Sequence, residues 1–136
     1  MGCTFKPGTD DLREAPSLVN VPLLLEDGAH VRMWDPVGQP NFKKKFPKKV
    51  HYCEKIEEAL QGADLCLILT EWDEVKDLDV KMYEKLMRTP IILDGRNCYE
   101  LKQFVDSRVI YDSIGRKTVN LELIRDIKKE NKKGRH

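Results

Sequence analysis

The sequence predicts a single α/β domain, a parallel sheet with helices packed on both faces, and three observations carry that prediction. Strand-like and helix-like segments alternate along the chain. The run ADLCLILT is almost continuously apolar, as a central strand covered on both faces requires. The length of 136 residues, 40% hydrophobic and 35% charged, suits one compact core under a polar surface. A chain of this size buries about two-thirds of its unfolded surface, enough to fold unaided.

The elements follow in order. A short β-prone run from Gly2 to Phe5 opens the chain. PSLVNVPLLLEDG then carries apolar residues at helical spacing and stops at Gly28, a suitable C-terminal cap. Pro22 within it requires either a regular helix that starts late, placing Pro22 in the first turn, or a kink. HVRMW reads as a strand ending at Asp35-Pro36. VGQPNFKKKFPKKV, with its proline, glycine and lysines, is the least regular stretch and reads as a solvated loop; a membrane or nucleic-acid patch over Lys43–Lys49 is the alternative. EKIEEALQG is a short amphipathic helix, ADLCLILT a strand, LDVKMYEKLM a helix, PIILD a strand and CYELKQFVD a short helix. RVIYDSIG supplies the last strand and NLELIRDIKKENKK a terminal helix. Right-handed crossovers turn this β-α alternation into a three-layer, Rossmann-like sheet over residues 1–136.

Composition excludes several function classes. With 24 basic and 23 acidic residues the net charge is +1, so a general nucleic-acid binder is not expected. Cys3, Cys53, Cys66 and Cys98 lack zinc or CxxC spacing and read as reduced packing thiols. His30 and His51 have no evident carboxylate or cysteine partner, so no metal site is expected. The absence of a signal-peptide pattern or a bilayer-length apolar run predicts a cytoplasmic protein without a membrane partner.

In an open parallel sheet, ligands bind outside the carboxyl ends of the strands. Those ends read FKPGTDDLR, WDP, TEWDE, LDGRN and SIGR, which gathers Lys6, Arg13, Arg96 and Arg116 on one edge. Such a cluster repels itself unless carboxylates or an anionic ligand answer it, and arginine's planar fork suits phosphate. A phosphorylated small molecule is the ligand these residues imply. Asp35 stands where a ribose-binding acid would stand, but the GxGxxG turn of a dinucleotide site is missing between Gly2 and Gly8. Other readings of single residues are structural. Asp10 and Asp11 suit helix capping or neutralisation of Arg13, Trp72 suits core packing, Asp94-Gly95 suits a turn, and Tyr99 suits packing.

FKPGTDDLREAPS, ILTEWDE and ILDGRN, in that order and followed by SIGR, closely resemble the C-terminal domain of the UDP-glucose/GDP-mannose dehydrogenase family, its bacterial UDP-glucose 6-dehydrogenase branch above all. The resemblance implies a UDP-sugar-binding domain of an enzyme that oxidises a sugar C6 alcohol to a carboxylate in two NAD-dependent steps. It implies substrate contacts along the loop Phe5, Lys6, Pro7, Gly8, Thr9, Asp10, Asp11 and Leu12, with Lys6 as the charged contact, and a substrate-binding role for Arg96. Arg13 matches an arginine that reaches across the interdomain cleft to NAD, while Glu71 and Trp72 form a family signature at the cleft. NAD itself would be held mainly by an N-terminal domain, and a central helix would make a full-length enzyme a homodimer.

The chain also departs from the family. No cysteine has the glycine-rich setting of the family's catalytic nucleophile, and the NAD fingerprint and the catalytic lysine and aspartate of the other domains are absent. No catalytic residue is therefore assigned, and the isolated chain is expected to be inactive. The opening strand looks clipped, which suggests an excised domain or a truncated relative. The alternative function is a stand-alone nucleotide-binding or interaction module.

Overall fold

The computed structural model describes residues 1–2, 8 and 15–133, with side chains as far as residue 130. Its regular elements are α1 (Ser17–Glu26), β1 (Val31–Met33), α2 (Gln39–Lys45), β2 (Val50–Tyr52), α3 (Ile56–Leu60) and β3 (Cys66–Ile68), then α4 (Asp73–Lys76), α5 (Val80–Leu86), β4 (Ile91–Asp94), β5 (Ile110–Ser113) and α6 (Ile124–Lys133). Short 3-10 turns occupy Leu101–Phe104 and Leu121–Leu123.

The strands form two parallel groups, β1-β2 and β3-β4-β5. Met1 and Gly2 join them. The Met1 amino group donates to Leu67 O, Leu69 N donates to Met1 O at 2.9 Å, and Gly2 N donates to Trp34 O at 2.8 Å. The full order is thus β2, β1, Met1–Gly2, β3, β4, β5. This is the order of a doubly wound sheet, whose direction of winding reverses between the first segment and β3. The predicted α/β class holds. Of the opening strand predicted over Gly2 to Phe5, Gly2 takes its place in the sheet and the rest lies outside the described residues.

Successive strand residues point to opposite faces, and the core divides accordingly. One face packs Trp34, Cys66, Ile68, Ile92 and Tyr111 against Ile56, Leu60, Val75, Tyr83 and Phe104. The other packs Met33 and Val50 against Val21 of α1 and Phe42 of α2. Coverage of this second face thins out beyond β1. Leu65 and Leu93 remain 40% and 38% exposed, so the ADLCLILT strand is sealed on its Cys66 and Ile68 side and only partly covered on the other.

Two local expectations are corrected. The stretch expected as a lysine-rich loop contains α2 and leads into β2. Phe42 is fully buried and stacks on Phe46 at 4.9 Å between ring centroids, so two aromatic residues anchor a segment whose lysines hide its periodicity. Lys43, Lys44 and Lys45 stay exposed, as the solvated reading required. The first helix starts at Ser17, which puts Pro22 in its interior rather than its first turn. Burial of Val21 and packing by Leu18 and Leu25 offset the hydrogen bond that Pro22 cannot donate.

Candidate functional site

The carboxyl edge is built around two buried aspartates and one arginine. Asp94 closes β4 and is 2% exposed. Its Oδ1 accepts from Arg96 N at 2.9 Å; its Oδ2 accepts from Cys98 N at 2.7 Å and from the Tyr111 hydroxyl at 2.5 Å. A carboxylate that holds two amides of the following turn fixes that turn's shape, so Asp94-Gly95 is the predicted turn chemistry and also its anchor. Gly95 N donates to Ile68 O at 2.9 Å, keeping the turn close to the end of β3.

Arg96 is carried by this turn, with its side chain 27% exposed. Its Nε donates to Leu69 O at 3.0 Å and lies 3.6 Å from Glu71 Oε2. The arginine is therefore half-buried and braced on the β3 loop, not the freely exposed group that an Asp-Gly turn alone suggests. Glu71 Oε2 is buried without a hydrogen-bond partner among the described residues and faces Arg96 as an ion pair. This gives Glu71, which the sequence reading left without a contact, a place beside the arginine.

The next loop is locked in the same way. Asn97, at φ 53°, accepts from Ile114 N at 2.9 Å and donates to Ile114 O at 3.1 Å. Arg116 donates to Ser113 Oγ at 2.8 Å, Tyr99 O at 2.8 Å and the Tyr111 hydroxyl at 3.0 Å, with its guanidinium 5.7 Å from the Tyr111 ring centroid. Of the two described arginines expected on the ligand edge, Arg116 is committed to this scaffold. Tyr99 packs as expected and also bonds, through its hydroxyl, to Tyr83 at 2.7 Å and to Val75 O.

Asp35 turns its carboxylate inward. It is 4% exposed, and Val37 N, Gly38 N and Trp72 Nε1 donate to it at 2.9, 2.6 and 3.1 Å. Trp72 packs in the core as predicted, and its indole N–H ties the end of β3 to the end of β1.

Of the other predicted site residues, Gly8 is exposed at φ 81°. Phe5, Lys6, Pro7, Thr9, Asp10, Asp11, Leu12 and Arg13 lie outside the described residues, as does Cys3. A residue that sequence reasoning missed immediately precedes them. Gly2 has φ 85°, and a Cβ there would come 2.5 Å from Thr70 Cβ, so only glycine lets the first segment pass against the β3 end. Its signal was present in the sequence, but a lone glycine outside a GxGxxG turn carries little weight.

The edge offers no thiolate among its described residues. Burial, with Asp94 and Glu71 adding negative charge, pushes the Cys98 thiol up to about 12. Burial likewise raises Cys66 to about 11. Both are protonated at neutral pH and are poor nucleophiles. Among the described residues, no group of three or more His, Cys, Asp or Glu side chains could hold a metal ion. No described helix is long and apolar enough to cross a membrane.

A separate cleft of about 880 Å³ runs along the thinly covered sheet face from the amino ends of β1 to β3. Its floor includes Val31, Met33, Leu65 and Leu67, and its rim includes Arg32 and Arg88. Arg88 pairs with Asp64 at 3.6 Å and Arg32 donates to Glu58 O at 3.0 Å. Lys48 and Lys49 also line it, but it lies away from the strand ends where ligands of open parallel sheets bind, so the candidate site remains at the carboxyl edge.

Comparison with known proteins identifies the family. A family model described as the UDP-glucose/GDP-mannose dehydrogenase family, UDP binding domain, matches residues 1–101. The UDP-glucose 6-dehydrogenase YwqF of Bacillus subtilis is 45% identical over 119 residues, covering 88% of this chain and 27% of the relative. The UDP-glucose 6-dehydrogenase of Pseudomonas aeruginosa is 40% identical over 121 residues, covering 85% and 26%. Among solved structures, an NDP-N-acetyl-D-galactosaminuronic acid dehydrogenase from Methanosarcina mazei is 30% identical, with a TM-score of 0.69 over 85% of this chain and 24% of that one. A UDP-glucose dehydrogenase from Pyrobaculum islandicum is also 30% identical, with a TM-score of 0.65 over 82% and 23%. The chain thus spans about a quarter of the length of the relatives it matches.

Proposed function

Since the chain belongs to the UDP-glucose/GDP-mannose dehydrogenase family through its UDP binding domain, we propose that it binds the nucleotide part of a UDP-sugar at the carboxyl edge of its sheet, as one domain of an NAD-dependent enzyme like UDP-glucose 6-dehydrogenase. The observation that carries this reading is Arg96. It sits on a turn fixed by a buried carboxylate and is braced through Nε on Leu69 O. A guanidinium held in one orientation loses less freedom when it meets a diphosphate, and that raises affinity.

In this reading Phe5, Lys6, Pro7, Gly8, Thr9, Asp10, Asp11 and Leu12 line the substrate, with Lys6 adding a second positive charge, and Arg13 faces NAD across an interdomain cleft. NAD is bound mainly by an N-terminal domain, and the catalytic nucleophile comes from outside this domain. The full-length enzyme is a cytoplasmic homodimer that converts UDP-glucose to UDP-glucuronate. This chain contributes nucleotide binding and does no oxidation alone. Its lining is set for a small anionic ligand, not a nucleic acid or a membrane.

Calorimetric titration of the chain with UDP, GDP and UDP-glucose tests the reading. UDP and UDP-glucose should bind at similar strength, near the millimolar range or about 4 kcal/mol, because half a cleft leaves much of the ligand in water. GDP should bind more weakly. Equal binding of GDP and UDP, or NADH production by the isolated chain supplied with UDP-glucose and NAD, would contradict it.

A further inference from the structure

We propose that Asn97 is a positioning residue for nucleotide binding that acts through its neighbour Arg96, an inference resting on the reading that Arg96 meets the diphosphate. Asn97 and Asn120 are the described non-glycine residues with positive φ, at 53° and 61°. Asparagine is among the few side chains that tolerate this conformation. The two differ in what their side chains hold. Asn120 Nδ2 donates to Phe104 O, Ser107 O and Val109 O, which closes a loop within one part of the fold. Asn97 instead joins two different carboxyl-edge loops through its reciprocal pair with Ile114 N and O.

The Ile114 side chain is 64% exposed, so it provides little apolar anchorage of its own. Its loop is fixed one residue earlier and two residues later, where Arg116 bonds to Ser113 and to the backbone of Tyr99. Asn97 transmits that fixed position to the Arg96 turn. The backbone of Arg96 is then held from inside by Asp94 and from outside by Asn97, while its side chain is held by Leu69 O. Without Asn97 the outside restraint is gone, and Arg96 must be ordered at the moment the ligand binds. That ordering weakens affinity without removing any direct contact.

The test is a double-mutant cycle read by UDP titration in NMR, on the wild-type chain, Asn97→Gly, Arg96→Ala and the pair. Glycine accepts the positive φ, so Asn97→Gly removes the side-chain bonds without straining the backbone. Asn97→Gly should weaken UDP binding about fivefold, the worth of roughly one net hydrogen bond. In the Arg96→Ala background the same change should cost less than about twofold, because there is no arginine left to position. An equal loss in both backgrounds would show that Asn97 acts independently of Arg96 and would overturn the proposal, as would no loss in either. A wild-type chain that fails to bind UDP would overturn the function proposed above, a result distinct from additive losses in a chain that binds.

Discussion

Asp35, at the end of β1, and Asp94, at the end of β4, are both buried, and each directs its carboxylate onto the loop that follows it. Among the described contacts, each accepts from two backbone N–H groups and one aromatic donor, Trp72 Nε1 for Asp35 and the Tyr111 hydroxyl for Asp94. The loops they shape are unlike. Asp35 orders Pro36-Val37-Gly38, which carries no charge; Asp94 orders Gly95-Arg96-Asn97. The same strand-end device therefore appears in both halves of the sheet, and only the β4 copy presents a cation. An acid at a strand end is thus no evidence of ligand binding by itself. What the loop carries beyond the acid decides.

Changing each acid to its amide breaks this comparison most directly. Asp35→Asn and Asp94→Asn each keep one acceptor oxygen but place an NH₂ where N–H or O–H donors point. Each should cost about 1–3 kcal/mol in urea unfolding, the cost of a buried donor left without its acceptor. UDP binding should separate them: Asp94→Asn should weaken it about tenfold through the displaced Arg96 turn, while Asp35→Asn should leave it within about twofold. Equal effects on binding would mean that both strand ends shape the ligand site.

Much of this was legible in the sequence, and the gaps have physical causes. The parallel sheet, the apolar β3, the Asp-Gly turn and Arg96 at its edge all followed from periodicity and turn chemistry. β2 was missed because its three residues, Val50-His51-Tyr52, directly follow a proline-lysine run that masks them. α2 was missed because Phe42 alone supplies its buried contact. Asp35 and Arg116 were placed on the correct edge but with the wrong orientation. Spacing puts a residue at a strand end and cannot say whether its side chain turns inward to Trp72 or Tyr99. The loop from Phe5 to Arg13 lies outside the described residues except for Gly8, so its roles rest on resemblance.

Alkaline pH acts on both halves, since burial also raises the Cys53 thiol beside β2, but it acts most on the second. The β3–β5 half contains Cys66, Cys98, Tyr83, Tyr99 and Tyr111, and burial raises every one of these acids above its ordinary value. In the folded chain they keep protons that the unfolded chain releases. Their contribution is therefore fully present below the unfolded values and is lost as pH rises. For Cys66 the window opens near its ordinary 9.0 and closes near 11. Within it, Cys66 alone should lower stability by about 1.4 kcal/mol per pH unit. Urea midpoints under reducing conditions from pH 8 to about pH 11 should fall accordingly. Cys66→Ala, less stable at pH 8, should show a shallower fall, and an unchanged slope would mean that Cys66 ionises freely in the folded state.

The smallest expected effect on stability belongs to Arg96, the residue proposed to meet the diphosphate. Among the described contacts, Arg96→Ala removes the hydrogen bond to Leu69 O and the ion pair that faces the buried Glu71 Oε2, a loss of about 1–2 kcal/mol. A charge-assisted contact to a diphosphate is worth roughly 1.5–3 kcal/mol, at least about tenfold in affinity. The deciding measurement is a UDP titration of wild-type and Arg96→Ala chains, with a thermal melt on the same preparations. Arg96→Ala should bind UDP at least about tenfold more weakly, with a melting temperature lowered by only a few degrees. An Arg96→Ala chain that melts far earlier, yet binds UDP as the wild type does while folded, would make Arg96 a structural ion-pair residue and contradict the account.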